Sequence, residues 1–133
     1  YDVAICAAAV SDWRTKDVSV NKIKKDKVKN TLTLELVQTP DILEYISNSK
    51  SRPKLVIGFA AETNELENNA LKKLTRKKCD WILANDVSIK NGVMGKSDTT
   101  VIRLSHGEKK VFPLMSKSDF AFLLVKDICA EIG

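Results

Sequence analysis

The sequence predicts an α/β domain built on a mostly parallel sheet, and three observations carry that expectation. Residues 3–10 and 55–59 are continuous apolar runs, and residues 81–84 form a shorter one. Runs without alternation suit strands buried on both faces, as parallel sheets require. The segment between the second and third runs has the length that a right-handed crossover helix needs.

The elements follow in order. Residues 3–10 read as the first strand. Residues 17–37 behave differently: Lys22-Ile23-Lys24-Lys25 and Leu32-Thr33-Leu34-Glu35-Leu36-Val37 alternate around Lys29-Asn30, which predicts a two-stranded arm. An isolated hairpin is marginal in water, so this arm must pack on the domain or on another subunit. Pro40 suits the first turn of a short helix reaching about Asn48. After the strand at 55–59, Thr63 or Asn64 can cap the crossover helix. Glu65 and Glu67 favour its start, and Lys72, Lys73, Arg76, Lys77 and Lys78 favour its end, by the sign of the helix dipole. Leu66, Ala70 and Leu74 form its buried stripe.

Beyond the strand at 81–84, Asn85-Asp86-Val87-Ser88 leads into a loop holding Gly92 and Gly95. Residues 101–104 and 110–112 flank Ser105-His106-Gly107-Glu108 as a hairpin. Ser116 or Ser118 can cap a last helix reaching Ile132, where Phe120, Leu123, Leu124, Ile128 and Ile132 recur at helical spacing.

Composition narrows the classes. At 133 residues the chain fits one domain, 1–133. A hydrophobic content of 44% with 29% charged residues is ordinary for a soluble globular protein. No segment approaches the length of an apolar membrane span, so no membrane partner is expected. The start at Tyr1, with no basic leader, reads as the start of a piece of a longer chain. Cys6, Cys79 and Cys129 are widely spaced and make no Cys-x-x-Cys pair. They read as buried free thiols in a reducing, cytoplasmic setting. The formal charge of +5, concentrated in residues 22–29 and 72–78, points to anionic partners.

Ligands of open α/β sheets bind outside the carboxyl ends of the strands. The loops leaving such ends are Ala8-Ala9-Val10-Ser11-Asp12, Gly58-Phe59-Ala60-Ala61-Glu62-Thr63 and Ala84-Asn85-Asp86. Small residues in the first two let a ligand approach the backbone. No Gly-x-Gly-x-x-Gly or Walker loop is present. On a helical wheel Leu66, Ala70, Leu71 and Leu74 centre on one apolar direction; Lys77 lies about 40° and Lys73 about 80° from it on the same side, and Lys72 and Arg76 point well away. Such lysines either snorkel, with the ammonium group in water, or reach back over the sheet to an anion.

Asp12 is either a loop cap or a carboxylate for a sugar or metal. Lys22, Lys24 and Lys25 either neutralise phosphates or guard an edge strand. Glu62 is explained as a helix-start acid, and Asn85-Asp86 as a turn. His106 belongs to the hairpin turn, and no nucleophile–base set is recognisable. Two other functions stand open at this point. A basic nucleic-acid-binding module would use residues 22–29, though these lysines lack interleaved aromatics. A dinucleotide-binding oxidoreductase fragment would need the absent glycine fingerprint.

Ala7-Ala8-Ala9-Val10-Ser11-Asp12-Trp13, Lys22-Ile23-Lys24-Lys25, Pro40-Asp41-Ile42-Leu43, Gly58-Phe59-Ala60-Ala61-Glu62-Thr63, Lys73-Leu74 with Lys77, and Ala84-Asn85-Asp86-Val87 occur in that order. Together they resemble the phosphopantothenoylcysteine synthetase family, the ligase half of the bifunctional coenzyme A biosynthesis flavoproteins. The resemblance implies a Rossmann-like three-layer domain with a dimerisation arm. It implies a CTP-dependent ligase that activates 4′-phosphopantothenate as an acyl-cytidylate and couples it to L-cysteine.

Carried over by position, the resemblance implies CTP contacts at Ala8, Asp12, Lys22, Pro40, Asp41, Ile42, Leu43, Phe59, Lys73 and Lys77. Lys22 corresponds to the catalytic lysine, and Asp12 stands near the Mg²⁺ carried by the nucleotide. Asn85 and Asp86 fall on the phosphopantothenate side. The arm at residues 17–37 corresponds to the homodimer element, so Lys22 would serve a neighbouring subunit. FMN belongs to the decarboxylase half of such fused proteins, and no nucleic-acid partner is implied. Two features depart from the family pattern. Its Gly-rich phosphate loop and acyl-cytidylate Asn do not precede Tyr1, and residues 93–100 carry an extra Lys96 and a Thr in place of Asn.

Overall fold

The computed structural model describes residues 1–24, 31–62, 65–86 and 98–133, without the side chains of residues 62 and 86. Lys25, the Lys29-Asn30 turn, the Thr63 and Asn64 caps and the Lys96 loop lie outside the described residues. In chain order the elements are β1 (Val3–Cys6), β2 (Trp13–Thr15), β3 (Leu36–Gln38), α1 (Ile42–Ser47), β4 (Leu55–Glu62), α2 (Leu66–Lys77), β5 (Trp81–Asp86), β6 (Asp98–Ser105), β7 (Glu108–Ser116) and α3 (Lys117–Ile132). They divide into two compact units, one of Tyr1–Ala7 with Ile42–Gly133 and one of Ala8–Asp41.

The first unit is Rossmann-like: a five-stranded sheet between helical layers, ordered β1-β4-β5-β6-β7. β1, β4 and β5 run parallel, and β6 and β7 continue the sheet antiparallel. Its two faces explain the uninterrupted apolar runs. Val56, Ala60, Ile82 and Ala84 point toward α1 and α2, where they meet Leu43, Ala70 and Leu74. Leu55, Ile57, Trp81 and Leu83 point the other way, toward Phe120, Leu124 and Ile128 of α3. A strand covered on both faces needs apolar side chains at every position.

The first run departs from this pattern. β1 stops at Cys6 and stands at the end of the described sheet, with Ile5 48% exposed. Residues 7–10 are exposed and form no strand. The apolar run at 3–10 therefore overstates both the strand's length and its burial.

Helix ends carry local logic. Ser116 caps α3, its hydroxyl oxygen accepting from Asp119 N at 3.0 Å while its hydroxyl donates to Asp119 Oδ2 at 2.7 Å. α2 begins at Leu66 behind Glu65, whose φ of 47° is left-handed and whose side chain makes no cap. At its other end Lys78, also left-handed at φ 55°, donates its backbone N–H to Leu74 O. Leu71, expected within the buried stripe, is 44% exposed. Pro40 does not open α1. The helix starts at Ile42.

Two charged clusters brace the first unit. Asp80, between α2 and β5, pairs with Arg52 and accepts the Val56 N–H at 2.7 Å. On the other side, Arg103 is 7% exposed and lies 4.3 Å above the Trp81 ring. It donates to Asp127 at 3.1 Å and Glu108 at 2.9 Å, while Lys110 also donates to Asp127. A buried guanidinium needs such partners, since an unpaired charge there would cost several kcal/mol. Among the described residues, no helix is long and apolar enough to cross a membrane.

In the second unit β2 pairs antiparallel with β3, Trp13 opposite Gln38 and Thr15 opposite Leu36. Lys16 extends the pairing through its N–H to Glu35 O and its ammonium to Glu35 Oε1, 2.8 Å away. The expected arm is thus paired at its base. Residues 22–24 and 31–35 are not in strands, contrary to the alternation at Lys22-Ile23-Lys24 and Leu32 to Glu35. Alternation shapes a strand only where one face is buried, and these side chains are exposed.

Candidate functional site

Of the expected residues of the first unit, Leu43, Lys73 and Lys77 lie on the α1–α2 side of the sheet. β1 ends at Cys6, opposite Gly58, so from Phe59 onward only β5 runs beside β4. Lys73 donates from Nζ to the Phe59 carbonyl at 2.8 Å. One turn further along α2, Lys77 donates to Glu44 Oε2 at 3.1 Å. Lys77 is 7% exposed, whereas the Glu44 side chain is 49% exposed. The wheel angles anticipated this order, with Lys77 buried and Lys73 half-buried. The Lys77 ammonium group does not snorkel into water. Outward Lys72 and Arg76 are exposed, as the same wheel requires.

Gly58 has a different role from the one its size suggested. A Cβ there would stand 2.5 Å from Leu43 Cδ2 and 2.9 Å from Ile82 Cδ1. The missing side chain makes room for α1, not for a ligand. Leu43 is buried on that spot, and neighbouring Ile42 is half exposed. Leu43, Glu44, Lys73 and Lys77 thus lie on the α1–α2 side of the sheet, whereas the Phe59 side chain packs on the α3 side and meets Lys73 only through its carbonyl.

The remaining expected residues fall elsewhere. Asn85 is half-buried on β5, paired beside Ala61, and Asp86 ends the strand with its side chain outside the described residues. Ala8, Asp12, Lys22, Pro40 and Asp41 belong to the second unit, and all are exposed. There the Asp12 carbonyl accepts from Thr39 N at 3.0 Å, and Thr39 Oγ1 donates to Ser11 O. These bonds tie Asp12 to the chain entering Pro40. Val10 N donates to Ala8 O at 3.0 Å, closing a tight turn around Ala9. Among the described residues, no three His, Cys, Asp or Glu side chains gather to hold a metal.

The cysteines correct one expectation. Cys79 is buried, and burial pushes its thiol up to about 11, which makes it a poor nucleophile. Cys6 is half-buried and Cys129 exposed, so the three are not all core thiols.

Sequence reasoning missed Glu44 and Arg103. Arg103 had left a signal, because it shares the period-two face of Val101, which is core. Glu44 left none: its partner is 33 positions away.

A model of the family described as "DNA/pantothenate metabolism flavoprotein C-terminal domain" matches residues 1–132. The chain is 40% identical over 131 residues to the Coenzyme A biosynthesis bifunctional protein CoaBC of Bacillus subtilis, covering 97% of this chain and 31% of that protein. The same-named protein of Vibrio vulnificus strain CMCP6 is 36% identical over 134 residues, covering 100% of this chain and 33% of that protein. The chain thus spans about a third of the length of these curated relatives. The crystal structure of a CoaBC C-terminal domain superposes with a TM-score of 0.70 at 34% identity, over 96% of this chain and 53% of that one. A DNA/pantothenate metabolism flavoprotein from Streptococcus pneumoniae shares the fold at TM-score 0.77 and 21% identity, over 98% of this chain and 64% of that one.

Proposed function

Because the chain belongs to the DNA/pantothenate metabolism flavoprotein C-terminal domain family, we propose that it is the nucleotide-holding part of a phosphopantothenate–cysteine ligase in coenzyme A biosynthesis. The ligase uses CTP to convert the carboxylate of 4′-phosphopantothenate into an acyl-cytidylate, releasing pyrophosphate. The amine of L-cysteine then displaces CMP and forms the amide. A carboxylate is a poor acyl donor until its oxygen leaves as part of a phosphate, so the nucleotide supplies the leaving group.

The observation that carries this reading is the inward turn of Lys73 and Lys77. Lys73 holds the Phe59 carbonyl oxygen within β4, and Lys77 holds the Glu44 carboxylate of α1. Two such cations can stabilise charge developing on phosphates. Half-exposed Ile42 supplies apolar surface for the base and sugar, and Phe59 contributes its backbone carbonyl. By the family resemblance, Asp12, Lys22, Pro40 and Asp41 are further nucleotide contacts, with Lys22 as the catalytic lysine. Asn85 and Asp86 serve the phosphopantothenate. Mg²⁺, carried by the nucleotide, neutralises phosphate charge when bound. FMN is assigned to the decarboxylase part of the longer relatives' architecture, not to these residues.

Thermal melting tests the proposal. A ligand bound only by the native state stabilises it by about 2.7 kcal/mol when present at about 100 times Kd. CTP with Mg²⁺ should raise the melting temperature more than ATP does. No shift at millimolar CTP would remove the reading.

A further inference from the structure

Lys77 presents a physical problem that its own helix does not solve. An ammonium group at 7% exposure loses its hydration and needs an anion beside it. Glu44 supplies one at 3.1 Å. The two partners are unequally held. Lys77 is enclosed, but the Glu44 side chain is 49% exposed and sits in the first turn of the six-residue helix α1. The carboxylate borders water, whereas the ammonium is enclosed. Beside this pair, Lys73 holds the Phe59 carbonyl oxygen at 2.8 Å. Both lysines of the candidate site therefore already grip an oxygen acceptor, and one of these is a displaceable anion.

We infer that Glu44 is a built-in stand-in for a nucleotide phosphate: it holds Lys77 in place in the unliganded protein and yields that ammonium group when a polyphosphate arrives. The inference rests on the nucleotide-binding reading of Lys77 and adds to it the residue that controls access to that lysine. Glu44 acts through Lys77 and is thus a positioning residue. Its negative charge opposes an incoming phosphate directly, and its ion pair with Lys77 must be exchanged for the new one. Removing the charge should therefore tighten polyphosphate binding while weakening the unliganded protein. A residue that only staples α1 to α2 would change stability and leave affinity alone.

The test titrates wild type, Glu44→Gln, Lys77→Met and the double variant with inorganic tripolyphosphate and, separately, with CTP and Mg²⁺. Circular dichroism and melting curves check folding, and Lys77→Met keeps the apolar stem so that the buried site stays filled. Glu44→Gln should melt at a lower temperature yet bind tripolyphosphate about 5-fold more tightly, the gain expected when one partly solvated like charge near a phosphate is removed. In the Lys77→Met background the Glu44→Gln substitution should give no gain. Unchanged or weaker tripolyphosphate binding by Glu44→Gln would overturn the inference, as would a gain that persists without Lys77. Should Glu44→Gln not fold, Glu44→Asp replaces it. The shorter carboxylate reaches Lys77 less well, and an unchanged affinity would again overturn the inference. If instead tripolyphosphate behaves as stated and CTP binds no better than ATP, the stand-in role holds and the CTP assignment falls.

Discussion

At Gly58 a methyl group would collide with side-chain ends, Leu43 Cδ2 and Ile82 Cδ1, rather than with backbone. Such ends can shift, so the cost is that of modest overpacking, about 1–3 kcal/mol, offset in part by the stiffer unfolded chain. Gly58→Ala should lower stability by about 1–2 kcal/mol in urea unfolding, with the m-value unchanged. Its effect should shrink in a Leu43→Ala background, because the two side chains compete for one space. The same residue-level view separates Lys73 and Lys77 from the other lysines of α2. Charge alone makes Lys72, Lys73, Arg76, Lys77 and Lys78 equivalent, and only their angle to Leu66, Ala70 and Leu74 distinguishes them. That angle is written in the sequence. What the inward lysines would meet is not, since Glu44 and Phe59 come from other elements.

At the scale of elements, α3 shows how local signals specify a boundary. Ser116 followed by Asp119 makes reciprocal bonds at the helix start. Ser116→Ala should cost about 1 kcal/mol and lower the melting temperature by a few degrees, whereas Ser118→Ala should change little. Differential scanning calorimetry of the two variants distinguishes the caps that the sequence alone left open. The hairpin of β6 and β7 was also legible, because Gly107 takes a φ of 90° that other residues rarely adopt. Its strands run longer than their apolar centres, Asp98–Ser105 and Glu108–Ser116, since backbone pairing continues where side chains turn polar. The arm shows the reverse. Its alternating segments are not strands, and its pairing is carried by residues 13–15 and 36–38. Trp13 and Leu36 are about half exposed, so burial gives the pattern little purchase.

At the scale of the whole molecule, the second unit leaves apolar side chains uncovered. Val18 is 82% exposed, Val20 98%, Ile23 58% and Leu32 65%. A two-stranded ribbon carrying such a surface is marginal alone, and large exposed apolar patches mark interaction sites. A second copy of this chain is the proposed cover. Sedimentation equilibrium should give a dimer, and Val18→Ser with Val20→Ser should shift it toward monomer without lowering the helical signal of the first unit. A monomeric wild type would remove the proposal. The sequence by itself determined the α/β class, the crossover between β4 and β5, the last helix and the angle of Lys73 and Lys77 to the apolar stripe of α2. Each of these rests on periodicity or on a local cap, which neighbouring residues set among themselves. Only the tertiary structure decided that β1 stands at the end of the described sheet, that Gly58 yields its space to Leu43, and that Lys77 is held by Glu44. Those facts depend on which distant segments meet, and an ion pair between α1 and α2 leaves no trace in the pattern of either helix alone.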